Sequence, residues 1–332
     1  MPESDLPENQ AVPKPARKKK RSPGLSADMP LSEYARAVMR GHFDELIRHE
    51  AGTRLGEDIE ELHDMRVATR RLRAAFEVFA PAFRLKAVKP LLRDLRAARQ
   101  ALGPVRDLDV FIENAEAYQH ENAADLGLLV ETWQAERETA RLKMLAYLDS
   151  PAFETFKTDF ETFLSTPGQG GSRFDPEDPH PQLTWQAAPV LLYQRYSDVL
   201  ACEGLIAEAS PEQLHDLRVR FKKFRYAVEF LRDVLGKPAA AVISDLKAMQ
   251  DHLGQLNDAH LACDLLSGLL SALETRHQSL PLGLRPDLGG ILAYLASLHS
   301  LRREKAETFP QAWANFTRPE FRHNLALALS EL

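Results

Sequence analysis

The residues best equipped for chemistry stand together in one stretch, His63-Asp64-Met65-Arg66-Val67-Ala68-Thr69-Arg70-Arg71-Leu72-Arg73. The stretch returns 152 residues later as His215-Asp216-Leu217-Arg218-Val219-Arg220-Phe221-Lys222-Lys223-Phe224-Arg225. A guanidinium is planar, permanently charged and able to hold two oxygens of one phosphate. An imidazole beside it donates a hydrogen bond and gains charge when a polyanion raises its pKa. Phosphate binding is therefore the chemistry these residue types suit. Adjacent His and Asp could also be metal ligands, as in metal-dependent phosphohydrolases. The cations that follow each His oppose a divalent ion unless bound phosphate offsets them, and the pair brings no further cluster of carboxylates. Asp64 and Asp216 are better read as capping, or as orienting the neighbouring His and Arg.

On a helix turning about 100° per residue, His63, Arg66, Arg70 and Arg73 fall in one sector about 80° wide. Met65, Thr69, Leu72, Phe76 and Phe79 fall in another, the face such a helix buries. The second copy repeats both faces, with His215, Arg218, Lys222 and Arg225 against Leu217, Phe221, Phe224, Val228 and Leu231. A solvated helix face is the plain alternative, but such faces interleave acids with bases. Here the only acid in each stripe is Glu77 or Glu229, four residues after Arg73 or Arg225. A repeat at this distance is not that of a solenoid, whose period is about 20 to 50 residues. It indicates two duplicated halves, each with one basic helix.

Composition sets the surroundings of those helices. The chain has 332 residues, 44% of them hydrophobic, and a net charge of −6. That length suits two ordinary domains or one duplicated domain. From His63 to Arg106 there are eleven Lys or Arg against three acids, Asp64, Glu77 and Asp94. An acidic chain that concentrates its cations on particular helices predicts a localised, concave anion site. No apolar run is long enough to span a bilayer, and no apolar segment follows the N-terminal charges as in a secretion signal. The expectation is a soluble cytoplasmic protein. Cys202 and Cys263 occupy unmatched positions without CxxC neighbours, so they are expected to be buried thiols. Nucleotide, zinc-protease, serine-hydrolase and calcium signatures are absent. No catalytic residue, metal or cofactor is predicted.

The elements that must position the stripes are helical throughout. Residues 1–26 are rich in Pro, Lys and Ser, include the basic run Lys18 to Arg21, and are expected to be a disordered tail. The first half is assigned to residues 27–165, a Gly/Pro-rich linker to 166–182 and the second half to 183–332. Helix 1 is expected from about Leu31 to Glu50. Helix 2 is the basic helix, broken at Pro81. Helix 3 is expected from about Leu85 to Leu102, ended by Gly103-Pro104. Asp107 is expected to cap a fourth helix, with a fifth from about Leu126 to Leu148 and a sixth segment from Pro151 to about Phe163. The second half repeats this order, with a first helix from about Trp185 to Leu205 and with Leu253-Gly254 as the counterpart of Leu102-Gly103. Another Pro/Gly-rich loop falls at about Arg276 to Gly290. Nothing alternates at period 2, so the fold class is all-α.

The pattern His-Asp-x-Arg-Val-x-x-(Arg/Lys)-(Arg/Lys)-x-Arg, with Leu102-Gly103 and Asp107 about 30 residues further on and both parts repeated, resembles the conserved histidine α-helical domain (CHAD) family. The first copy matches the family at His63, Arg66, Val67, Arg70, Arg71, Arg73, Leu102, Gly103, Arg106, Asp107 and Asp109. The second departs from it with Lys222 and Lys223 for two arginines, Asn257 for Arg106 and His260 for Asp109. The resemblance implies two tandem helical bundles related by a pseudo-twofold axis, with a central basic channel that binds inorganic polyphosphate, often at polyphosphate granules. It implies a stand-alone, non-catalytic binding module, since the ExExK signature of the tunnel-barrel domain often fused to such proteins is missing. The expected site is His63, Arg66, Arg70, Arg71 and Arg73 with His215, Arg218, Lys222, Lys223 and Arg225, backed by Arg93, Arg96 and Lys247 on the third helices. Two alternatives stay open, a phosphohydrolase or kinase acting on polyphosphate or nucleotides, and a nonspecific nucleic-acid binder. The basic faces offer no Asn or Gln to read bases, and only Tyr226 among their aromatics.

Overall fold

A computed structural model describes residues 24–332 except 173, 174, 176, 178, 179, 279, 280, 282 and 284. The basic run Lys18 to Arg21, and with it most of the tail expected to be disordered, lies outside the described residues. Ten α-helices follow one another: α1 (Leu31–Leu55), α2 (Ile59–Val78), α3 (Leu85–Asn122), α4 (Gly127–Leu148) and α5 (Pro151–Ser165), then α6 (Thr184–Leu200), α7 (Pro211–Leu235), α8 (Ala239–His277), α9 (Gly289–Phe316) and α10 (Pro319–Leu329). The described residues form no strand, only two isolated bridges. Both sets of five place a very long helix third, 38 residues in α3 and 39 in α8. The basic stretches lie on α2 and α7.

Local chemistry sets the entry into α2. Gly56 ends α1 in the left-handed conformation at φ 76°, with its N–H bonded to Gly52 O, a conformation glycine adopts without steric cost. Asp58 then caps α2 by accepting from the Glu60 N–H at 2.9 Å, and Glu60 and Glu61 fill the first turn, where the helix dipole favours acids. Ser210 caps α7 in the same manner, and Gln213 bonds back to the Ser210 N–H at 2.7 Å. Helix α1 runs one turn beyond the expected end at Glu50.

Four expectations are corrected. Gly103-Pro104 does not end a helix, and Asp107 does not cap one, because α3 continues to Asn122 with Pro104 inside it. Likewise α8 passes through Gly254, and α6 stops at Leu200, with a 3-10 turn over Glu203–Glu208 where its continuation was expected. A proline inside a helix costs about 3 kcal/mol. That cost is offset by the apolar face beyond it, where Val105, Ile112 and Ala115 are buried; a side chain the size of Ile112 contributes about 1.5–3 kcal/mol on full burial.

One continuous core runs through both halves. Phe43, Phe76, Phe156, Phe160 and Phe163 interlock in the first half, and Tyr196, Phe221, Phe224, Phe316 and Phe321 in the second. They are joined where Phe79 stacks on Phe230 and the buried Tyr34 hydroxyl donates to Phe230 O at 3.0 Å. A second, separate cluster joins the far ends of the long helices: Ile112, Ala115, Leu129 and Trp133 meet Leu266, Ile291 and Tyr294. Gly290 lies so close to the first half there that an added Cβ would stand 2.0 Å from Asp125 O, whereas at Gly254 it would meet nothing within 4 Å. Gly290→Ala is therefore expected to lower stability by about 1–3 kcal/mol through overpacking. Gly254→Ala is expected to raise it by about 0.5–1 kcal/mol through helix entropy. Urea unfolding of the two variants measures both signs.

Candidate functional site

Helices α2 and α7 pack side by side and bring the two stripes together. Near their C-terminal ends the cations are paired across the junction. Arg71 donates to Glu229 at 2.9 Å, and Lys223, at the equivalent place in the second copy, lies 3.8 Å from Glu77. Arg73 and Arg225 close on the same two acids within their own helices, at 3.2 and 3.5 Å. The Arg71 and Arg225 guanidiniums also flank the Tyr226 ring, 5.9 and 5.8 Å from its centroid. Of these four predicted site residues Arg71 and Lys223 thus pair across the junction, and Arg73 and Arg225 pair within their own helices.

One turn toward the N-termini the arrangement changes. Arg66 donates to Asp107 at 2.7 Å, and its counterpart Arg218 lies 3.7 Å from Asp258. Arg106 donates through Nε to His63 Nδ1 at 3.1 Å, and His215 Nδ1 meets Asn257 Oδ1 at 2.7 Å. The departure of the second copy at Asn257 keeps the contact and discards the charge. Burial, and after it Arg106, holds the His63 pKa below the ordinary imidazole value.

Between these contacts stand cations with no acidic partner. Among the described residues Arg70, Arg99 and Lys222 make no ion pair. The Nε donors of Arg70 and Arg218 are buried without an acceptor. Burial, and after it Arg70, Arg218, Arg99 and Arg66, together push the Lys222 amine from its ordinary value down to about 7. Five cations from three helices and both halves thus crowd one partly desolvated point. Uncompensated buried charge of one sign is costly, and an anion supplies the missing partner.

The supporting residues from the long helices differ from those expected. Arg93 is exposed and turns to Asp94 at 2.8 Å, while Arg96 and Lys247 are exposed and make no ion pair among the described residues. The α3 cation beside Lys222 is Arg99, and the one that bonds His63 is Arg106. Neither was among the expected site residues. Their spacing of seven, which puts both on one helix face, was the available signal. Of the remaining family positions, Asp109 is buried against Arg137 and its Oδ2 has no partner. The donor set around Lys222 is cationic rather than the carboxylate set a divalent ion needs. Among the described residues no group of three or more His, Cys, Asp or Glu could hold a metal. No helix among them is long and apolar enough to cross a membrane.

The CHAD domain family model matches residues 37–267, the span that holds both stripes. No curated protein matches the chain. Among solved structures, the CHAD domain from the plant Ricinus communis is similar at 22% identity with a TM-score of 0.64, over 96% of this chain and 98% of that one. PptA from Streptomyces chartreusis is similar at 16% identity with a TM-score of 0.62, over 86% of this chain and 100% of that one. At such identities the likeness is one of fold, and it is an all-α fold. The match of the family model over more than two thirds of the sequence, carried by the two basic helices just described, makes this chain a member of the CHAD domain family.

Proposed function

We propose that this protein binds inorganic polyphosphate without transforming it, in a basic channel between two halves related by a pseudo-twofold axis. The observation that carries the reading is the group Arg66, Arg70, Arg99, Arg218 and Lys222, drawn from both halves and short of acids. A linear polyanion neutralises such a row of cations at successive phosphates, and bidentate guanidiniums suit that contact. His63 and Arg106 extend the row by donating hydrogen bonds, whereas His215 donates to Asn257 instead. Arg71, Arg73, Lys223 and Arg225 sit at its edge, where a polyanion competes with Glu77 and Glu229 for them. Arg93, Arg96 and Lys247, exposed on the long helices, serve as outer attraction for an incoming chain. The halves touch at α2 and α7 and again at the far ends of the long helices, which frames the cations on two sides. The same reading places the protein on polyphosphate granules in the cytoplasm.

Reversing two charges, Arg70→Glu with Lys222→Glu, is expected to weaken binding of long-chain polyphosphate by about 100-fold or more, in line with the penalty for losing buried charged contacts. It should also flatten the dependence of affinity on salt. The effect should persist when residues 1–26 are deleted. Calorimetry with polyphosphate and with duplex DNA of matched charge measures this, and tighter binding of DNA at the same salt overturns the reading. Release of orthophosphate from the bound chain with Mg²⁺ or Mn²⁺ overturns its non-catalytic part.

Proton uptake provides a second check. Free Lys222 titrates near 7 and is largely neutral at pH 8. A bound polyanion favours the charged amine and raises that pKa, so binding at pH 8 should take up protons. Calorimetry in two buffers of different ionisation enthalpy measures the uptake, which Lys222→Met should reduce.

A further inference from the structure

A cavity of about 510 Å³ opens between the start of α7, the middle of α8 and α9. Its floor is apolar, built from Leu214, Leu253 and Leu256, and among the described residues no carboxylate lines it. Its polar side carries His215, Asn257, His260, His299, Arg302 and Arg303. The volume lies in the range of small-molecule sites, about 300–1,000 Å³, and an apolar lining with a few convergent polar groups is their usual composition.

The hydrogen bonds define what the polar side can offer. The Arg302 guanidinium donates to His260 Nδ1 at 3.4 Å and to His299 Nδ1 at 3.3 Å. Both imidazoles therefore accept at Nδ1 and carry their protons at Nε2. His260 turns Nε2 toward Asp264 at 3.7 Å, outside the lining, which leaves the His299 Nε2–H without a partner among the described residues. Among the described residues Arg302 is held by the two imidazoles and makes no ion pair. Arg303 likewise makes no ion pair among the described residues. On the opposite side Asn257 donates to Asp258 at 3.3 Å and presents Oδ1 to His215. His215 thus donates through Nδ1 and keeps Nε2 as an acceptor for a ligand N–H. Two guanidiniums, one free imidazole donor and one imidazole acceptor stand above an apolar floor.

We propose that this cavity is a separate site for a phosphorylated small molecule with a flat, largely apolar ring, of the nucleoside monophosphate class. Polyphosphate has no apolar surface to bury against the three leucines, whereas a nucleobase does. The phosphate is taken by Arg302, Arg303 and His299, and the base lies on the leucine floor with its N–H toward His215. Helix α9, which carries His299, Arg302 and Arg303, follows the matched residues 37–267.

The test uses the full chain and titration calorimetry with adenosine monophosphate, adenosine and orthophosphate as separate probes. The nucleotide is expected to bind at least about 10-fold tighter than either fragment, a difference of about 1.4 kcal/mol. Arg302→Ala should weaken it at least about 10-fold, since removing a charged hydrogen-bonding group costs this much or more. Ala306→Trp, at an exposed position of the lining, should block the cavity without disturbing the core. Arg302→Lys keeps the charge but cannot span both imidazoles; it should also lose affinity, and thermal melts confirm that each variant is folded. Arg70→Glu with Lys222→Glu should leave nucleotide affinity unchanged, so failure of this site and failure of the polyphosphate reading are told apart. A nucleotide that binds no tighter than orthophosphate, or affinity that survives both Arg302→Ala and Ala306→Trp, overturns the proposal. Displacement of the nucleotide by long-chain polyphosphate in the doubly reversed variant overturns it too, because the cavity would then belong to the polyphosphate site.

Discussion

Where the two cationic helices lie against each other, Glu77 and Glu229 each hold one cation from their own helix and one from the other half. Two like charges 4 Å apart at a protein surface repel by about 4 kcal/mol at an effective dielectric near 20, so a junction of arginines and lysines without acids would drive α2 and α7 apart. The two glutamates turn that repulsion into four contacts, and the aromatic bridge of Phe79, Phe230 and Tyr34 supplies apolar burial beneath them. Every other feature of the basic surface is measured from this junction.

Compensation ends within one turn of it. Next to the glutamates the cations are paired, and beyond them Arg70, Arg99 and Lys222 make no ion pair among the described residues. The junction brings those cations close without neutralising them, and packing desolvates Lys222. Rigid neighbours and unpaired donors make a site preorganised for an anion, with little side-chain entropy left to lose on binding. The long helices α3 and α8 contribute on the same principle. They carry Arg99, Arg106 and Asn257 past the basic helices and then meet at the second apolar cluster, so one pair of elements both lines the basic region and braces it.

Much of this was legible in the residues. The repeat, the two faces of each basic helix, the all-α class and the lone acid in each stripe follow from spacing and type. The course of α3 was not legible. Leu102-Gly103-Pro104 has the local form of a helix end, yet the apolar face from Val105 to Ala115 buries enough surface to carry the helix through the proline. Once α3 continues, Asp107 faces Arg66 from mid-helix instead of capping a new one, and Arg99 and Arg106 reach positions that a break would have turned elsewhere.

By itself the sequence determined which side chains are cationic, that they occur twice, and that each set shares a helix with a buried aromatic face. Periodicity and charge are properties of a single helix, so they survive without knowledge of the partners. The tertiary structure alone decided which cations are spent and which are left. Arg71 and Arg70 are neighbours on one helix, yet one meets Glu229 from the other half and the other makes no ion pair among the described residues. The cavity on α9 has the same origin, since His215, His260 and Arg302 are distant in the chain and meet only through helix packing. Whether a charge is compensated depends on distances across elements, and packing sets those distances.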